Sequence, residues 1–285
     1  MNAKWIAYAK LMRLHKPIGI LLLLWPTWWA LWLAAEGFPS FKNWLIFTLG
    51  VIVMRSAGCV VNDLADRRFD GSVARTRDRP LVIGSVALLE AWILLGVLCT
   101  LALILVLFLN LTVFLWACVA LVIALIYPLT KRFFPMPQAI LGLGWYLAIP
   151  MAFAAQSKVS AVTLWLYLGA VAWTIAYDTW YAMVDRVDDI KIGIQSSAIL
   201  FGRYDRAWIA VFQCFALGAW FYVGILAHLR NTYFIAWFIC GCLFIYQQIL
   251  AYHCEPMSCF KAFLNNQWVG LALFLGILSG YTLHS

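Results

Sequence analysis

The sequence predicts an all-α protein that crosses a membrane about nine times, and two observations support this. Hydrophobic residues make up 65% of the chain and charged residues only 11%, whereas soluble domains carry about 25% charged residues. The apolar residues also form segments close to the roughly 20 residues that a membrane-spanning helix needs. The predicted spans are about 17–35, 43–61, 86–108, 112–128, 137–155, 161–182, 207–227, 232–251 and 263–282.

The basic residues predict how the chain is oriented. Lys4 to Lys16 precedes the first span and has the character of an amphipathic helix on the membrane surface. With a cytoplasmic N-terminus, all but three of the 20 Lys and Arg residues fall in cytoplasmic segments, the exceptions being Lys42, Lys158 and Arg230. This bias follows the positive-inside rule and places the C-terminus outside. The net charge of +8 therefore indicates topology and lipid headgroups rather than nucleic-acid binding.

The first polar motif follows the second span and reads N-D-L-A-D-R-R-F-D from Asn62 to Asp70. Asp63, Asp66 and Asp70 have the spacing i, i+3 and i+7, so a continuing helix carries them on one face. Three acids on one face repel one another unless a cation lies among them. Mg²⁺ typically uses one or two carboxylates together with substrate phosphates, so the motif predicts a magnesium site.

Five arginines lie within or just after this motif: Arg67, Arg68, Arg75, Arg77 and Arg79. The planar guanidinium group binds phosphate through two parallel hydrogen bonds. The combination of clustered acids and arginines therefore predicts a metal-bound phosphate as the ligand.

A second acidic motif follows the sixth span. Asp178, Asp185 and Asp189 have the spacing i, i+7 and i+11, which again places them on one helical face, and Arg186 and Lys191 lie beside them. The ordinary alternative for each motif is a solvated helix end. Acids at the end of a membrane span are costly and are functional by default. Two such motifs therefore predict one bipartite site that holds a metal-bound diphosphate.

Three further cations are candidates for binding an anionic substrate. Lys131 and Arg132 close the fourth span, where they are either a positive-inside anchor or the wall of a substrate site. Arg55 lies inside the second span, where a lone charge costs several kcal/mol. It either extends its side chain to the membrane interface or pairs with an acid or an anionic substrate.

The two motifs resemble those of a known family. The pattern N-D-x-x-D-x-x-x-D from Asn62, followed by R-T-x-x-R-P from Arg75, resembles the first motif of the UbiA superfamily of intramembrane aromatic prenyltransferases. The pattern Y-D-T-x-Y-A-M-x-D-R-x-D-D from Tyr177, with S-A-I-x-F-G from Ser197, resembles the branch that prenylates 4-hydroxybenzoate. The entry R-x-x-K-P-I-G from Arg13 and the turn Y-P-x-x-K-R from Tyr127 extend the resemblance over nearly the whole chain.

The resemblance implies one membrane domain over 1–285, with nine helices around a central cavity that opens to the cytoplasm under cap loops at about 62–85 and 183–206. It implies that polyprenyl diphosphate and 4-hydroxybenzoate are the substrates, that Mg²⁺ is the cofactor, and that the prenyl tail leaves through a lateral opening into the lipid bilayer. A bacterial inner membrane is the implied location.

The resemblance also implies a role for each candidate residue. The acids that would hold Mg²⁺, directly or through water, are Asp63, Asp66, Asp70, Asp178, Asp185 and Asp189. The residues that would orient or bind the diphosphate are Asn62, Arg68, Arg75, Arg79 and Lys191. The cations that would hold the benzoate carboxylate are Arg55, Lys131 and Arg132.

Three other functions are alternatives: a phosphotransferase, a transporter and a prenyltransferase of a sister branch. Asp70 also begins a pattern similar to that of CDP-alcohol phosphotransferases, but the two later acids of that pattern are replaced here by Leu88 and Trp92. A transporter would use the acids as cation or proton sites, which usually lie near the middle of the bilayer. The acids here are predicted at cytoplasmic helix ends. Within the superfamily, a sister branch that prenylates a different aromatic acceptor stays open.

Overall fold

The computed structural model describes residues 3–67, 71 and 76–282. Most of these residues are helical, and no β-strand occurs among them, which confirms the all-α prediction. The helices are α1 (Ala3–Leu11), α2 (Ile18–Ala35), α3 (Phe41–Asp66), α4 (Leu88–Leu107), α5 (Leu111–Thr130), α6 (Pro137–Trp145), α7 (Ala148–Ala154), α8 (Ala161–Ile192), α9 (Ser197–Phe201), α10 (Asp205–Leu226), α11 (Asn231–Leu250) and α12 (Pro256–Thr282).

Nine segments of the described chain are long and apolar enough to cross a membrane, as the sequence predicts. Two of them are composite. The helices α6 and α7 together form the fifth segment, and α9, a short 3₁₀ turn (Gly202–Tyr204) and α10 form the seventh. Helices satisfy all their backbone hydrogen bonds internally, as hydrocarbon surroundings require. The protein is therefore an integral membrane protein.

The fifth span is interrupted between α6 and α7, a break that the apolar run alone did not indicate. Pro150 has no N–H and cannot donate to the carbonyl of Tyr146 four residues earlier. That carbonyl accepts instead from the backbone N–H of Ile149 at 2.8 Å. The hydroxyl of the fully buried Tyr146 lies 3.1 Å from the hydroxyl of Tyr177 on α8. The break thus brings a polar contact into the helix core.

Three buried tryptophans hold the centre of the helix bundle together. The rings of Trp29 (α2), Trp173 (α8) and Trp220 (α10) meet with centroids between 5.3 and 5.9 Å apart. The indole N–H of Trp29 donates to the carbonyl of Gly270 at 3.0 Å, and that of Trp173 donates to Asn266 at 2.8 Å. Because both acceptors lie on α12, this cluster joins the four helices α2, α8, α10 and α12.

Both helices that carry the acidic motifs extend beyond the apolar runs that precede them. The helix α3 continues to Asp66, and α8 continues to Ile192 before it ends at Gly193, which has the left-handed φ of 73° that glycine adopts without strain. Residues 183–192, which the sequence assigned to a cap loop, are therefore helical. The connection to α9 is only four residues long.

The surface helix α1 packs against the ends of α3 and α4. Ala7 and Leu11 are buried in a small apolar cluster with Val60 of α3. Lys4 forms an ion pair with Glu90 at 2.7 Å, and this hydrogen bond raises the pKa of Lys4. These contacts position the turn that follows α1 beside the first acidic motif.

Candidate functional site

A cavity of about 150 Å³ lies between the ends of α3, α5 and α8 and the start of α6. It brings the two acidic motifs together, because its walls include oxygen donors from both helices. Those donors are Asn62 and Asp66 from α3 and Asp178, Asp185 and Asp189 from α8. The other polar residues in its walls are Thr76, Arg79, Tyr127, Lys131, Gln138, Tyr181, Gln195 and Ser196.

Asp63 is held by arginines and does not line this cavity. Only 1% of it is exposed. One carboxylate oxygen, Oδ1, accepts from Arg13 at 2.7 Å and lies 3.1 Å from Arg79. The other oxygen, Oδ2, has no hydrogen-bond partner in the described part of the chain. Asp63 therefore links the turn after α1 to the segment that follows the first motif.

Asp66 and Asn62 share the ammonium group of Lys131. The Nζ atom of Lys131 lies 2.7 Å from Asn62 Oδ1 and 3.2 Å from Asp66 Oδ2. It also lies 5.3 Å from the centre of the Tyr127 ring. Arg132, the neighbouring cation, is exposed and donates to the carbonyl of Ala65 at 3.3 Å. Lys131 thus belongs to the wall of the acidic cavity.

The acids of the second motif are partly buried on the cavity side of α8. The two cations beside them pair with other acids. Arg186 forms an ion pair with the buried Asp205 at the start of α10, and Lys191 pairs with Asp188 at 3.3 Å. Because Lys191 is exposed, the structure does not bring this predicted phosphate ligand into the cavity.

Three predicted site residues, Arg68, Asp70 and Arg75, lie outside the described residues. Among the residues that are described, no three Asp, Glu, His or Cys side chains form a ready-made metal-binding group. Mg²⁺ commonly takes one or two protein carboxylates and completes its shell with phosphate oxygens and water. The donors that face the cavity are carboxylates and an amide, so they fit a divalent cation that arrives with a diphosphate.

The surroundings of the first motif are rich in positive charge. Besides the cations already described, the turn after α1 carries His15 and Lys16. Burial lowers the pKa of His15, and the nearby Lys16 and Arg13 lower it further. The contribution from Lys16 and Arg13 reflects the positive charge around this turn.

Arg55 lies deeper in the membrane, about 10 Å along α3 from Asn62 at the rise of an α-helix. Its guanidinium carbon lies 5.1 Å from the centre of the Trp145 ring, and it donates to Cys59 Sγ. It also packs so closely on Gly19 that a Cβ there would collide with the guanidinium group. Its Nε–H has no partner among the described residues. Arg55 is therefore packed between helices, and its buried Nε–H is available to a ligand.

Arg55 also lines a second, apolar cavity of about 240 Å³ between α3, α4, α5 and the α6–α7 pair. The other residues in its wall are apolar or uncharged, and they include Phe47, Leu103, Leu121 and Met151. The wall buries no other charge, so this cavity suits a hydrocarbon chain. Arg55 supplies the one charged side chain among the described residues of this wall.

Sequence reasoning gave no role to four residues that line the acidic cavity: Thr76, Gln138, Tyr181 and Ser196. Thr76 and Tyr181 are positions of the two quoted patterns, whereas Gln138 and Ser196 are uncharged and no spacing set them apart. It also did not assign Arg13 to Asp63, because the two residues are 50 positions apart. Only the packing of α1 on α3 brings them together.

The family model of the UbiA prenyltransferase family matches residues 23–278, and this chain belongs to that family. The resemblance read from the two motifs is thereby confirmed. A prenyltransferase is favoured over a phosphotransferase or a transporter.

The chain is similar to curated relatives named 4-hydroxybenzoate octaprenyltransferase. The relative from Pseudoalteromonas translucida (strain TAC 125) is 50% identical over 275 residues, which cover 96% of this chain and 94% of the relative. The relative from Edwardsiella ictaluri (strain 93-146) is 51% identical over 278 residues, which cover 97% of each chain.

The fold is shared with solved structures. A UbiA homolog from Aeropyrum pernix K1 matches with a TM-score of 0.81 at 23% identity, over 91% of this chain and 97% of that chain. A UbiA homolog from Archaeoglobus fulgidus bound to GPP and Mg²⁺ matches with a TM-score of 0.70 at 20% identity, over 96% and 99%. At these identities the matches establish the common fold.

Proposed function

We propose that this protein transfers a polyprenyl group from polyprenyl diphosphate to 4-hydroxybenzoate, at the ring carbon ortho to the hydroxyl, with release of diphosphate, in ubiquinone biosynthesis. One observation carries the reaction type: oxygen donors from both motifs, with Lys131 and Arg79, line a single cavity. The assignment of 4-hydroxybenzoate as the acceptor is supported by relatives named 4-hydroxybenzoate octaprenyltransferase, which are 50% and 51% identical to this chain over nearly its whole length.

Mg²⁺ is the proposed cofactor, and Asp66, Asp178, Asp185 and Asp189 would hold it. The sequence pattern adds Asp70 to this set and assigns Asn62 to orient the first motif. The sequence pattern also assigns Asp63 to the metal. Its two arginine partners favour a different role, in which Asp63 holds Arg13 and Arg79 beside the diphosphate. When bound, the metal neutralises the diphosphate and makes it a better leaving group. A related archaeal structure contains Mg²⁺ with GPP, which supports the choice of metal.

The cations around the cavity bind the diphosphate as it departs. Arg79 and Lys131 line the cavity directly, and the sequence pattern assigns Arg68 and Arg75 to the same task. Lys191 has the same assignment from the sequence, but it is exposed and pairs with Asp188. The allylic C1–O bond breaks with its electron pair going to the diphosphate oxygen. Fixed positive groups that stabilise this developing charge lower the barrier to ionisation.

The allyl cation then forms a bond between C1 and the ring carbon beside the phenol oxygen, and that carbon loses its proton to a base. Water would convert the cation to an alcohol, so the site must exclude it. The apolar cavity is the proposed site for the prenyl tail. It lies on the membrane side of the acidic cavity and buries hydrocarbon away from water.

Arg55 is the proposed ligand of the benzoate carboxylate. It is a partly buried cation whose buried Nε–H has no partner among the described residues, and it lies in the wall of the tail cavity. Lys131 and Arg132 were equal candidates from the sequence. Lys131 is already shared by Asn62 and Asp66, and Arg132 is exposed, so their positions favour Arg55 for this role.

The protein is proposed to lie in a bacterial inner membrane with a cytoplasmic N-terminus and an external C-terminus. The excess of Lys and Arg in alternate connections supports this orientation. The segments 62–85 and 183–206 would then form one cytoplasmic cap over the acidic cavity.

The test is a membrane assay with radiolabelled 4-hydroxybenzoate and a polyprenyl diphosphate, with Mg²⁺ or EDTA. We expect Mg²⁺-dependent transfer of label into an organic-soluble product. Product with another aromatic acceptor, and none with 4-hydroxybenzoate, would contradict the acceptor and retain the reaction type. No transfer to any acceptor from folded protein would overturn the reaction type.

A further inference from the structure

The four-residue connection after α8 and the first residue of α9 are hydrogen-bonded to the end of α5 and the start of α6. The backbone N–H of Gln195 donates to the carbonyl of Lys131 at 2.7 Å. The backbone N–H of Ser197 donates to Gln138 Oε1 at 3.0 Å. The connection therefore forms a rigid part of the cavity wall, directly after the second acidic motif.

Ser196, which lines the cavity, and the adjacent Ser197, which does not, have different hydrogen bonding. Ser197 is fully buried, and its hydroxyl lies 2.7 Å from the hydroxyl of Thr179. Thr179 donates its own proton to the carbonyl of Ile175. A hydroxyl has one proton to donate, so Ser197 must be the donor to Thr179. The hydroxyl of Ser197 is thus used inside the protein.

The hydroxyl of Ser196 has no such partner. Only 3% of the residue is exposed, and its Oγ atom makes no hydrogen bond with any described residue. It lies in the wall of the acidic cavity with Asp185 and Asp189. A buried hydroxyl without a partner is unfavourable, so a ligand in the cavity would satisfy it.

The position of Ser196 indicates which substrate its hydroxyl would contact. It lines the acidic cavity and is not part of the wall of the apolar cavity, where Arg55 lies. The hydrogen bond from Gln195 to Lys131 places the connection beside a cation of the diphosphate region. Among the groups expected there, phosphate oxygens are acceptors that a neutral hydroxyl can bind without adding charge.

We propose that the hydroxyl of Ser196 donates a hydrogen bond to a phosphate oxygen of the polyprenyl diphosphate. This inference rests on the proposed function for the identity of the ligand. Ser196 would then orient the diphosphate between the two motifs, whereas the adjacent Ser197 would have a structural role only.

The experiment compares Ser196→Ala with the matched control Ser197→Ala. Detergent-purified protein is titrated with inorganic pyrophosphate in the presence of Mg²⁺, and its thermal unfolding is followed. A hydrogen bond to a charged group corresponds to roughly a tenfold change in affinity or more. We expect Ser196→Ala to weaken pyrophosphate binding about tenfold with an unchanged unfolding temperature. Ser197→Ala should lower the unfolding temperature.

Kinetics separate the two substrates. In Ser196→Ala the KM for polyprenyl diphosphate should rise, and the KM for 4-hydroxybenzoate should stay the same. Unchanged pyrophosphate affinity, or a fall in unfolding temperature like that of Ser197→Ala, would overturn the proposal. The pyrophosphate titration involves no acceptor, so a failure of the acceptor assignment leaves this test of Ser196 intact.

Discussion

The two acidic motifs line one cavity, but the protein surrounds them differently. In the first motif, Asp63 and Asp66 are buried, with cations from other parts of the chain against them: Arg13 and Arg79 at Asp63, and Lys131 at Asp66. The second motif has acids that are only partly buried on α8. Its neighbouring cations, Arg186 and Lys191, form ion pairs with Asp205 and Asp188, which do not line the cavity.

The difference indicates a division of roles within one site. Acids that are buried against cations contribute to holding the protein together, because removing one partner leaves an uncompensated buried charge. Acids that are partly exposed in a cavity contribute less to stability, because solvent screens their charges. We therefore expect the first motif to affect both folding and activity, and the second motif to affect mainly activity.

Removal of the metal should have the largest effect, and it should act through both motifs. With EDTA in excess, transfer of label from 4-hydroxybenzoate into product should fall to background, because the diphosphate loses the cation that stabilises its departure. Adding Mg²⁺ back should restore the rate. Undiminished transfer in EDTA would contradict a divalent metal in this site.

Asp185→Asn should reduce turnover by about 100-fold or more, the size of effect seen when one preorganised electrostatic group is removed. Its unfolding temperature should stay close to that of the unchanged protein, since Asp185 is partly exposed. Asp66→Asn should lose as much activity and should also be less stable, because Lys131 loses its carboxylate partner. Near-normal activity in either variant would contradict the bipartite site.

Asp63→Asn should show the strongest effect on stability. It leaves Arg13 and Arg79 without their shared carboxylate, and breaking a buried ion pair costs about 3–5 kcal/mol. For a chain of this size that corresponds to a fall in unfolding temperature of about 6–20 °C. The half-saturating Mg²⁺ concentration should change little, while the KM for polyprenyl diphosphate should rise. A large shift in the Mg²⁺ requirement with unchanged stability would instead make Asp63 a metal ligand.

The smallest effect is expected for an ion pair outside both motifs. Lys4→Ala removes the exposed pair between the surface helix and Glu90, and exposed pairs contribute little to stability because water and salt screen them. Activity should be unchanged, and the unfolding temperature should fall by about 4 °C or less. This variant is the reference against which the loss in Asp63→Asn is judged. A larger loss would mean that α1 stabilises the first motif as a whole.

The spans could be predicted because the membrane imposes a simple requirement on apolar length. The break at Tyr146 could not, since it depends on Pro150 and on a contact between two tyrosines of different helices. The prediction that 183–192 belongs to a loop was wrong for a related reason. The polar residues that follow the apolar run of α8 end the hydropathy signal but continue the helix.

The acidic motifs could be recognised because their charges recur at helical spacing. Their cation partners could not be assigned, because Arg13 and Lys131 reach the first motif through tertiary packing across 50 and 65 positions. Ser196 gave no signal at all in the sequence. Its significance lies in a missing hydrogen bond, which only the packed structure reveals.

The most direct test of the account is whether the two motifs form one site. Mg²⁺-dependent binding of inorganic pyrophosphate should be measured for Asp66→Asn, Asp185→Asn and the double variant. A single bipartite site predicts that each substitution alone removes most of the binding and that the double variant loses little more, because coupled residues are not additive. If instead the two losses add in free energy, each motif binds pyrophosphate independently, and the account of one shared site is wrong.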